Sequence, residues 1–186
     1  MLSYRHAFHA GNDADVFKHV ALCGLLTALT RKDKPFLYLE THAGAGAYNL
    51  RNRLTLQHQE AARGIALLWG REFRTVPAPF RCYWDHVQRC NAGGRLRRYP
   101  GSPWFARELL RGTDRAVLAE RHPTDGQKLS RLLRDDSRFT VTLDDGYPLL
   151  RALLPPIERR ALIFIDPAYE TRDELQHLHR ALLEGR

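Results

Sequence analysis

The sequence predicts a parallel α/β fold built around a Rossmann-like sheet, and three observations predict it. Four short apolar runs, Phe36-Leu37-Tyr38-Leu39, Ala116-Val117-Leu118-Ala119, Phe139-Thr140-Val141-Thr142-Leu143 and Leu162-Ile163-Phe164-Ile165, are separated by stretches with helical periodicity. Each run delivers an acid at its carboxyl end, in order Glu40, Glu120, Asp145 and Asp166. A glycine turn, Ala43-Gly44-Ala45-Gly46, follows the first run. Strands that alternate with helices need right-handed crossovers, which build a parallel sheet. At 186 residues, 44% of them hydrophobic and 27% charged, the chain has the size and balance of one globular domain, residues 1–186.

The elements follow in order. Asn12-Asp13-Ala14-Asp15 is a helix start, and Val16, Val20, Leu22, Leu25, Leu26 and Leu29 make one broad apolar face before Lys32-Asp33-Lys34-Pro35 ends it. The first strand and its glycine turn come next. Two helix-like stretches, about 60–69 and 80–90, lie in an arginine-rich segment. Ser102-Pro103 reads as an N-cap followed by proline at the first helical position, opening a helix through Leu110. The remaining three strands are separated by helical patterns near 125–133 and 147–154.

The carboxyl ends of parallel strands share one edge of the sheet, and ligands bind there. Four carboxylates on one edge repel one another unless they bind donors. Ribose hydroxyls and an adenine amino group are such donors, and glycine lets a ligand approach the backbone closely. The layout is that of a nucleoside-type cofactor site. A dinucleotide would need G-x-G-x-x-G, but Gly44-Ala45-Gly46-Ala47-Tyr48-Asn49 lacks the third glycine. A P-loop would need G-x-x-x-x-G-K-[ST], which occurs nowhere. A nucleotide-dependent switch or a dehydrogenase is therefore disfavoured. S-adenosylmethionine fits better, because it has no phosphate and carries cationic groups that acids attract.

The fourth strand runs into Asp166-Pro167-Ala168-Tyr169. This turn sets a carboxylate, a donor-free backbone position and an aromatic ring at one strand end. A base's amino group needs two acceptors, and a flipped base needs a face to stack on. The turn can supply all three, which suggests methylation of an amino group on a base.

Charge points to the same class of substrate. Of the net +8, +7 lies between Arg51 and Arg98, where ten arginines and no lysine meet only Glu60, Glu72 and Asp85. Arginine forks suit phosphates and stack on bases, so the segment suggests a polyanion. It also falls in the 80-residue gap between Glu40 and Glu120, where an ordinary βαβ unit places its ribose-binding acid about 20 residues after the turn. We read residues 50–98 as a helical basic insertion, with Arg95, Arg97 and Arg98 as phosphate contacts. Trp69, Trp84 and Trp104 lie in helix-like patterns and are expected to pack in cores. His6 and His9 are expected in structural hydrogen bonds, and no acid or cysteine spacing supports a metal. Cys23, Cys82 and Cys90 are odd in number and form no C-x-x-C pair, which suits a reducing cytoplasm. The stretch from Val20 to Leu29 is about half a membrane span, so no membrane role is expected.

These motifs, with Tyr4-Arg5-His6-Ala7-Phe8-His9-Ala10-Gly11-Asn12, Asp15-Val16-Phe17-Lys18-His19, Thr41-His42 and Tyr99-Pro100-Gly101-Ser102-Pro103, resemble the RlmJ family across the whole chain. The resemblance implies a class I methyltransferase that transfers methyl from S-adenosylmethionine to adenine N6 in 23S ribosomal RNA. It implies a cofactor pocket lined by Lys18, His19, His42, Ser102, Glu120, Asp145, Gly146 and Asp166, beside the turn glycines Gly44 and Gly46. Tyr4 is implied to guard the adenine side, and Asp166, the Pro167 carbonyl and Tyr169 to hold the target base. A monomer is implied for the full-length family. Two departures stand out. The family turn is Asp-Pro-Pro-Tyr, and Ala168 here replaces a proline that would stiffen it. The family sheet has seven strands in the order 3-2-1-4-5-7-6, whereas this chain ends in the helix after its fourth. The expectation is a truncated core of order 3-2-1-4 with weakened activity, the alternative being an RNA-binding remnant that does not turn over.

Overall fold

The computed structural model describes residues 5–52, 55, 59–169 and 173–184. In chain order the elements are α1 (Asp13–Thr30), β1 (Leu37–Glu40), β2 (Ala47–Asn49), α2 (Ile65–Leu68), α3 (Ala78–Cys90), β3 (Arg98–Pro100), α4 (Ser102–Leu109), β4 (Arg115–Ala119), α5 (Pro123–Leu133), β5 (Phe139–Thr142), α6 (Tyr147–Leu153), β6 (Ala161–Phe164) and α7 (Glu174–Glu184). They form two compact units. The first comprises Lys32–Gly44 and Arg111–Arg186, and the second Arg5–Arg31 and Ala45–Leu110.

The first unit holds a four-stranded, wholly parallel sheet in the order β5-β4-β1-β6. Counted along the chain this is 3-2-1-4, the predicted order. β1 is central, and all four of its residues are buried, as a continuous apolar run in a parallel sheet requires. The registers Glu40↔Leu118 and Glu40↔Phe164 bring the strands out level at their carboxyl ends. Leu37, Leu39 and Val117 pack with Leu150 of α6 and Ala181 of α7, joined by Tyr147, Leu153, Ile163 and Ile165. α5 buries Leu129 and Leu133 and opens at Pro123, where a missing N–H costs nothing. Asp114 ties the entry to the sheet: its carboxylate accepts from Phe36 N at 3.2 Å and from Arg111 Nη2 at 2.8 Å.

The second unit is helical. Asn12 caps α1 through its side chain, which accepts from Asp15 N at 2.8 Å. The helix buries Asp15, His19, Leu22, Cys23 and Leu26, so the expected face is shifted, and Leu25 is exposed. α3 and α4 add Tyr83, Trp84, Val87, Phe105 and Ala106 to this core, with Tyr83 stacked on Phe105 at 5.5 Å. Trp84 is buried as expected of a core residue and tilts against Trp69, which is half-buried, at 5.8 Å.

The structure corrects three details of the sequence reading. The helix expected at 60–69 is a 3-10 turn (Glu60–Arg63) and a single α turn, broken at Gly64, where a Cβ would lie 2.2 Å from the Gly11 carbonyl. Ser102 is the first helical residue of α4 and not its cap; extended Gly101 takes the cap position. A two-stranded antiparallel sheet, β2 with β3, was not expected, and it pairs Tyr48 with Tyr99. Among the described residues, no helix is long and apolar enough to cross a membrane.

Candidate functional site

In the first unit the predicted acids gather at the carboxyl edge of the sheet, with one exception. Glu40 is fully buried, and its Oε2 accepts from the Tyr38 hydroxyl at 2.9 Å. Its carboxylate works inside the protein and does not line the edge as expected. Glu120, directly after β4, is half-buried. Its Oε2 accepts from Gly44 N at 2.7 Å and its Oε1 from His122 N at 2.6 Å. Gly44 meets the carboxylate from a left-handed turn, φ +64°, which a side-chain-bearing residue adopts only with strain. Burial holds the Glu120 carboxyl above its ordinary value, and the two backbone donors oppose that rise in part.

Asp145 accepts from Tyr147 N at 3.0 Å and so starts α6. Gly146 lies against the end of β1; a Cβ there would sit 2.2 Å from the Thr41 carbonyl oxygen, so only glycine fits. His42 follows β1. Its Nδ1 is 2.8 Å from Thr41 Oγ1, and its ring meets Tyr147 edge-on at 5.2 Å. Burial pushes the His42 pKa down against the fields of Glu174, Asp145 and Asp166. A lowered pKa leaves the imidazole neutral at neutral pH, a hydrogen-bonding group and not a cation. Tyr147, whose hydroxyl donates to Glu174 Oε1 at 2.7 Å, was missed in the sequence; its one signal was its place next to Asp145-Gly146.

At the end of β6, Asp166 is half-buried and Pro167 buried. Tyr169 is 57% exposed and holds a left-handed backbone, φ +53°. An aromatic residue in that region carries roughly 1–3 kcal/mol of strain, and such strain concentrates at functional sites.

The other predicted residues belong to the second unit. Gly46, φ +75°, accepts from Gly101 N at 2.9 Å, which holds the start of α4 and the buried Ser102 in place. His19 is 4% exposed, with Nδ1 2.9 Å from the Tyr99 hydroxyl. Lys18 Nζ is 3.5 Å from Asp15 Oδ1. Asp15 is 1% exposed and also takes His6 Nε2 at 3.0 Å and Gly11 N at 2.9 Å. His9 pairs with Glu60 at 2.9 Å, so both N-terminal histidines are hydrogen-bonded as expected. Arg95, Arg97 and Arg98 are exposed. Their loop is fixed by a residue the sequence did not flag: Asn91 Oδ1 accepts from Arg97 N at 2.8 Å and Arg98 N at 2.9 Å, while Nδ2 donates to the Arg98 and Val87 carbonyls. Tyr4 lies outside the described residues. Among the described residues, no group of three or more His, Cys, Asp or Glu side chains is arranged to hold a metal ion.

A family model described as "Ribosomal RNA large subunit methyltransferase D, RlmJ" matches residues 33–186. Two curated relatives, each named ribosomal RNA large subunit methyltransferase J, align over the whole chain. The protein of Escherichia coli (strain K12) is 46% identical over 185 residues, and that of Haemophilus influenzae (strain ATCC 51907 / DSM 11121 / KW20 / Rd) is 44% identical over 186. The chain spans 65% and 66% of their respective lengths. A solved structure of a protein from Legionella pneumophila str. Philadelphia 1 superposes with a TM-score of 0.87 at 42% identity, covering 95% of this chain and 64% of that one.

Proposed function

Because this chain belongs to the RlmJ family, with a class I methyltransferase sheet, we propose that it transfers methyl from S-adenosylmethionine to the N6 amino group of an adenine in large-subunit ribosomal RNA. The observation that carries this reading is the turn after β6: a half-buried carboxylate, a buried proline carbonyl position and an exposed tyrosine in a strained backbone, all within four residues.

The donor set fits the cofactor. Glu120 and Asp145 are acceptors beside a glycine turn, matched to ribose hydroxyls and an adenine amine, and His42 adds a neutral hydrogen-bonding ring. Each Glu120 oxygen already holds one backbone N–H and keeps a second lone pair for a ligand hydroxyl. The family resemblance adds Lys18, His19 and Ser102 as further proposed cofactor contacts. When bound, S-adenosylmethionine supplies an electrophilic methyl carbon. Asp166 and the Pro167 carbonyl accept the two amino hydrogens of the target base and draw them out of the ring plane. The nitrogen lone pair, otherwise delocalised into the ring, is thereby localised for attack. Tyr169 stacks the flipped base, and the proton lost from N6 passes to the Asp166 carboxylate and on to solvent. Alignment of nitrogen and methyl carbon supplies much of the rate. Arg95, Arg97 and Arg98 hold RNA phosphates and set the register of the substrate.

The test is mass spectrometry of unmodified large-subunit RNA incubated with this protein and methyl-labelled cofactor. Label in N6-methyladenine that disappears in Asp166→Ala is expected. Label at another position, or label indifferent to Asp166→Ala, refutes the assignment.

A further inference from the structure

Three cysteines stand outside the proposed chemistry, and the second unit treats two of them unlike the third. Cys23 lies on α1 and is fully buried; Cys82 lies on α3 and is half-buried. The two helices approach closely at this level, since a Cβ added to Gly24 would sit 3.1 Å from the Pro79 ring. Thr27, one turn after Cys23, donates its hydroxyl to Cys82 Sγ at 3.8 Å. His86, one turn after Cys82, is buried and hydrogen-bonds the same sulfur. The Cys23 thiol completes the set by donating to Cys82. One sulfur is thus shared by three side chains from two helices, so the cluster is a tertiary construction.

Hydrogen bonds received by a sulfur favour its ionised form. Those from Cys23, His86 and Thr27 hold the Cys82 thiol well below its ordinary value, against the opposing effect of burial. The same contact acts the other way on Cys23: donating to Cys82, and buried, that thiol is pushed up and stays protonated. The pair therefore joins a nucleophile to a neutral thiol already in contact with it. Cys90, also half-buried, is the internal contrast, because burial pushes it up to about 11 and it remains a thiol.

We propose that Cys82 is an oxidation site for small hydroperoxides and that Cys23 resolves it, closing a reversible disulfide between α1 and α3. In the first step the Cys82 thiolate attacks one oxygen of the hydroperoxide. The S–O bond forms, the O–O bond breaks, and the leaving oxygen takes a proton to become water or an alcohol. Sulfur loses two electrons and the peroxide gains them, which leaves a sulfenic acid. In the second step the Cys23 sulfur attacks the sulfenic sulfur. The S–S bond forms, the S–O bond breaks, and the hydroxyl leaves as water with the Cys23 proton. Two equivalents of a small thiol return both cysteines by exchange. A transient bridge is the form that disulfides usually take in a reducing compartment. Both residues belong to the second unit, so the bridge needs neither the cofactor nor RNA.

Reduced protein treated with stoichiometric hydrogen peroxide, followed by intact mass and peptide mapping, provides the test. The expected result is loss of two hydrogens, one peptide pair joined through Cys23 and Cys82, and a free Cys90; a thiol reductant restores the starting mass. In Cys23→Ser the reaction should stop at a sulfenic acid on Cys82, which dimedone traps. A limiting alkylating agent should label Cys82 of the native protein roughly tenfold faster than Cys90, and the preference should vanish in urea. Should Cys23→Ser not fold, mapping and labelling of the wild type still decide both steps. Cys90 reacting as fast as Cys82 overturns the activation. Cys82 carried to a sulfinic acid without a bridge, or a bridge formed only between molecules, overturns the role of Cys23.

Discussion

Glu120→Ala probes the best-defined half of the candidate site. The wild-type carboxylate accepts from two backbone donors, Gly44 N at 2.7 Å and His122 N at 2.6 Å. Alanine leaves both N–H groups without that acceptor, at about 1–3 kcal/mol each when a buried donor is orphaned. Two terms offset this: the site is only half-buried, so water reaches the freed donors, and the burial cost of the carboxylate disappears. A net loss of about 2 kcal/mol at neutral pH is expected. The pH dependence is more diagnostic. The folded carboxyl titrates above its unfolded value, so its contribution to stability is complete below the unfolded value and is lost as pH rises through the folded one. The gap between wild type and Glu120→Ala should therefore widen as pH falls from neutral into the carboxylate range. Cofactor binding should move the opposite way, because a ribose hydroxyl donates to the ionised form; wild-type affinity should weaken over the same window, and Glu120→Ala should cost about 1–3 kcal/mol of it at neutral pH. Urea unfolding and calorimetry with S-adenosylhomocysteine across that window measure both. A stability gap that narrows on acidification, or an affinity indifferent to Glu120→Ala, refutes the reasoning.

Two further outcomes follow from the second unit. Replacing Arg95, Arg97 and Arg98 together by alanine should flatten the dependence of RNA affinity on salt by about one logarithmic unit per lost phosphate contact, with little change in stability, since the loop is held by Asn91; an unchanged slope in filter binding would mean that these arginines are only solvated. Asp15→Asn should destabilise by about 3 kcal/mol, because a buried charge paired with His6 and Lys18 is removed from the first turn of α1. Burial alone would raise the Asp15 pKa, but the His6 charge and hydrogen bond, with His19 and Lys18, hold it well below the ordinary carboxylate value. Its stabilisation is thus present above the unfolded value and lost as pH falls through the folded one, so the gap measured by urea unfolding should shrink in acid, opposite in sign to Glu120. A constant gap contradicts the pairing.

What was legible in the sequence was whatever declares itself within a few residues. The four strands were readable because an apolar run between breakers, ended by an acid, has few other readings, and the order β5-β4-β1-β6 follows the expected 3-2-1-4. The β2–β3 pair was not readable. Each strand has three residues, one of them carries an arginine of the charged segment, and their pairing joins Tyr48 to Tyr99 across 51 positions. The same distance problem hid the supports of the site. His19 was singled out by its motif, but Tyr99 lies 80 residues away and is recognised only once both sit in one core. Arg97 and Arg98 announce themselves by charge; Asn91, which orders them, looks in sequence like any loop residue. Ser102 failed for a local reason: Gly101, with φ −85° and ψ 175°, already supplies the extended conformation a cap needs.

Within the first unit the two halves of the site are held differently, and this bears on which property of the chain is the more robust. The half around Glu120 follows β4, a strand paired on both sides and buried at four of five positions, and is cross-tied by backbone bonds to Gly44 and His122. The half around Asp166 follows β6, which pairs with β1 alone among the described strands and is only partly buried at each position. Ala168 stands in its turn where a second proline would fix φ. Affinity tolerates small displacements of a donor or acceptor, because a hydrogen bond weakens gradually with distance. Rate does not: an error of about 1 Å in the alignment of nucleophile and methyl carbon can cost about 10²-fold. Cofactor affinity should therefore be the sturdier property of this chain and methyl transfer the more fragile one, so binding that survives while turnover falls locates a defect in the turn after β6 and leaves the Glu120 half intact.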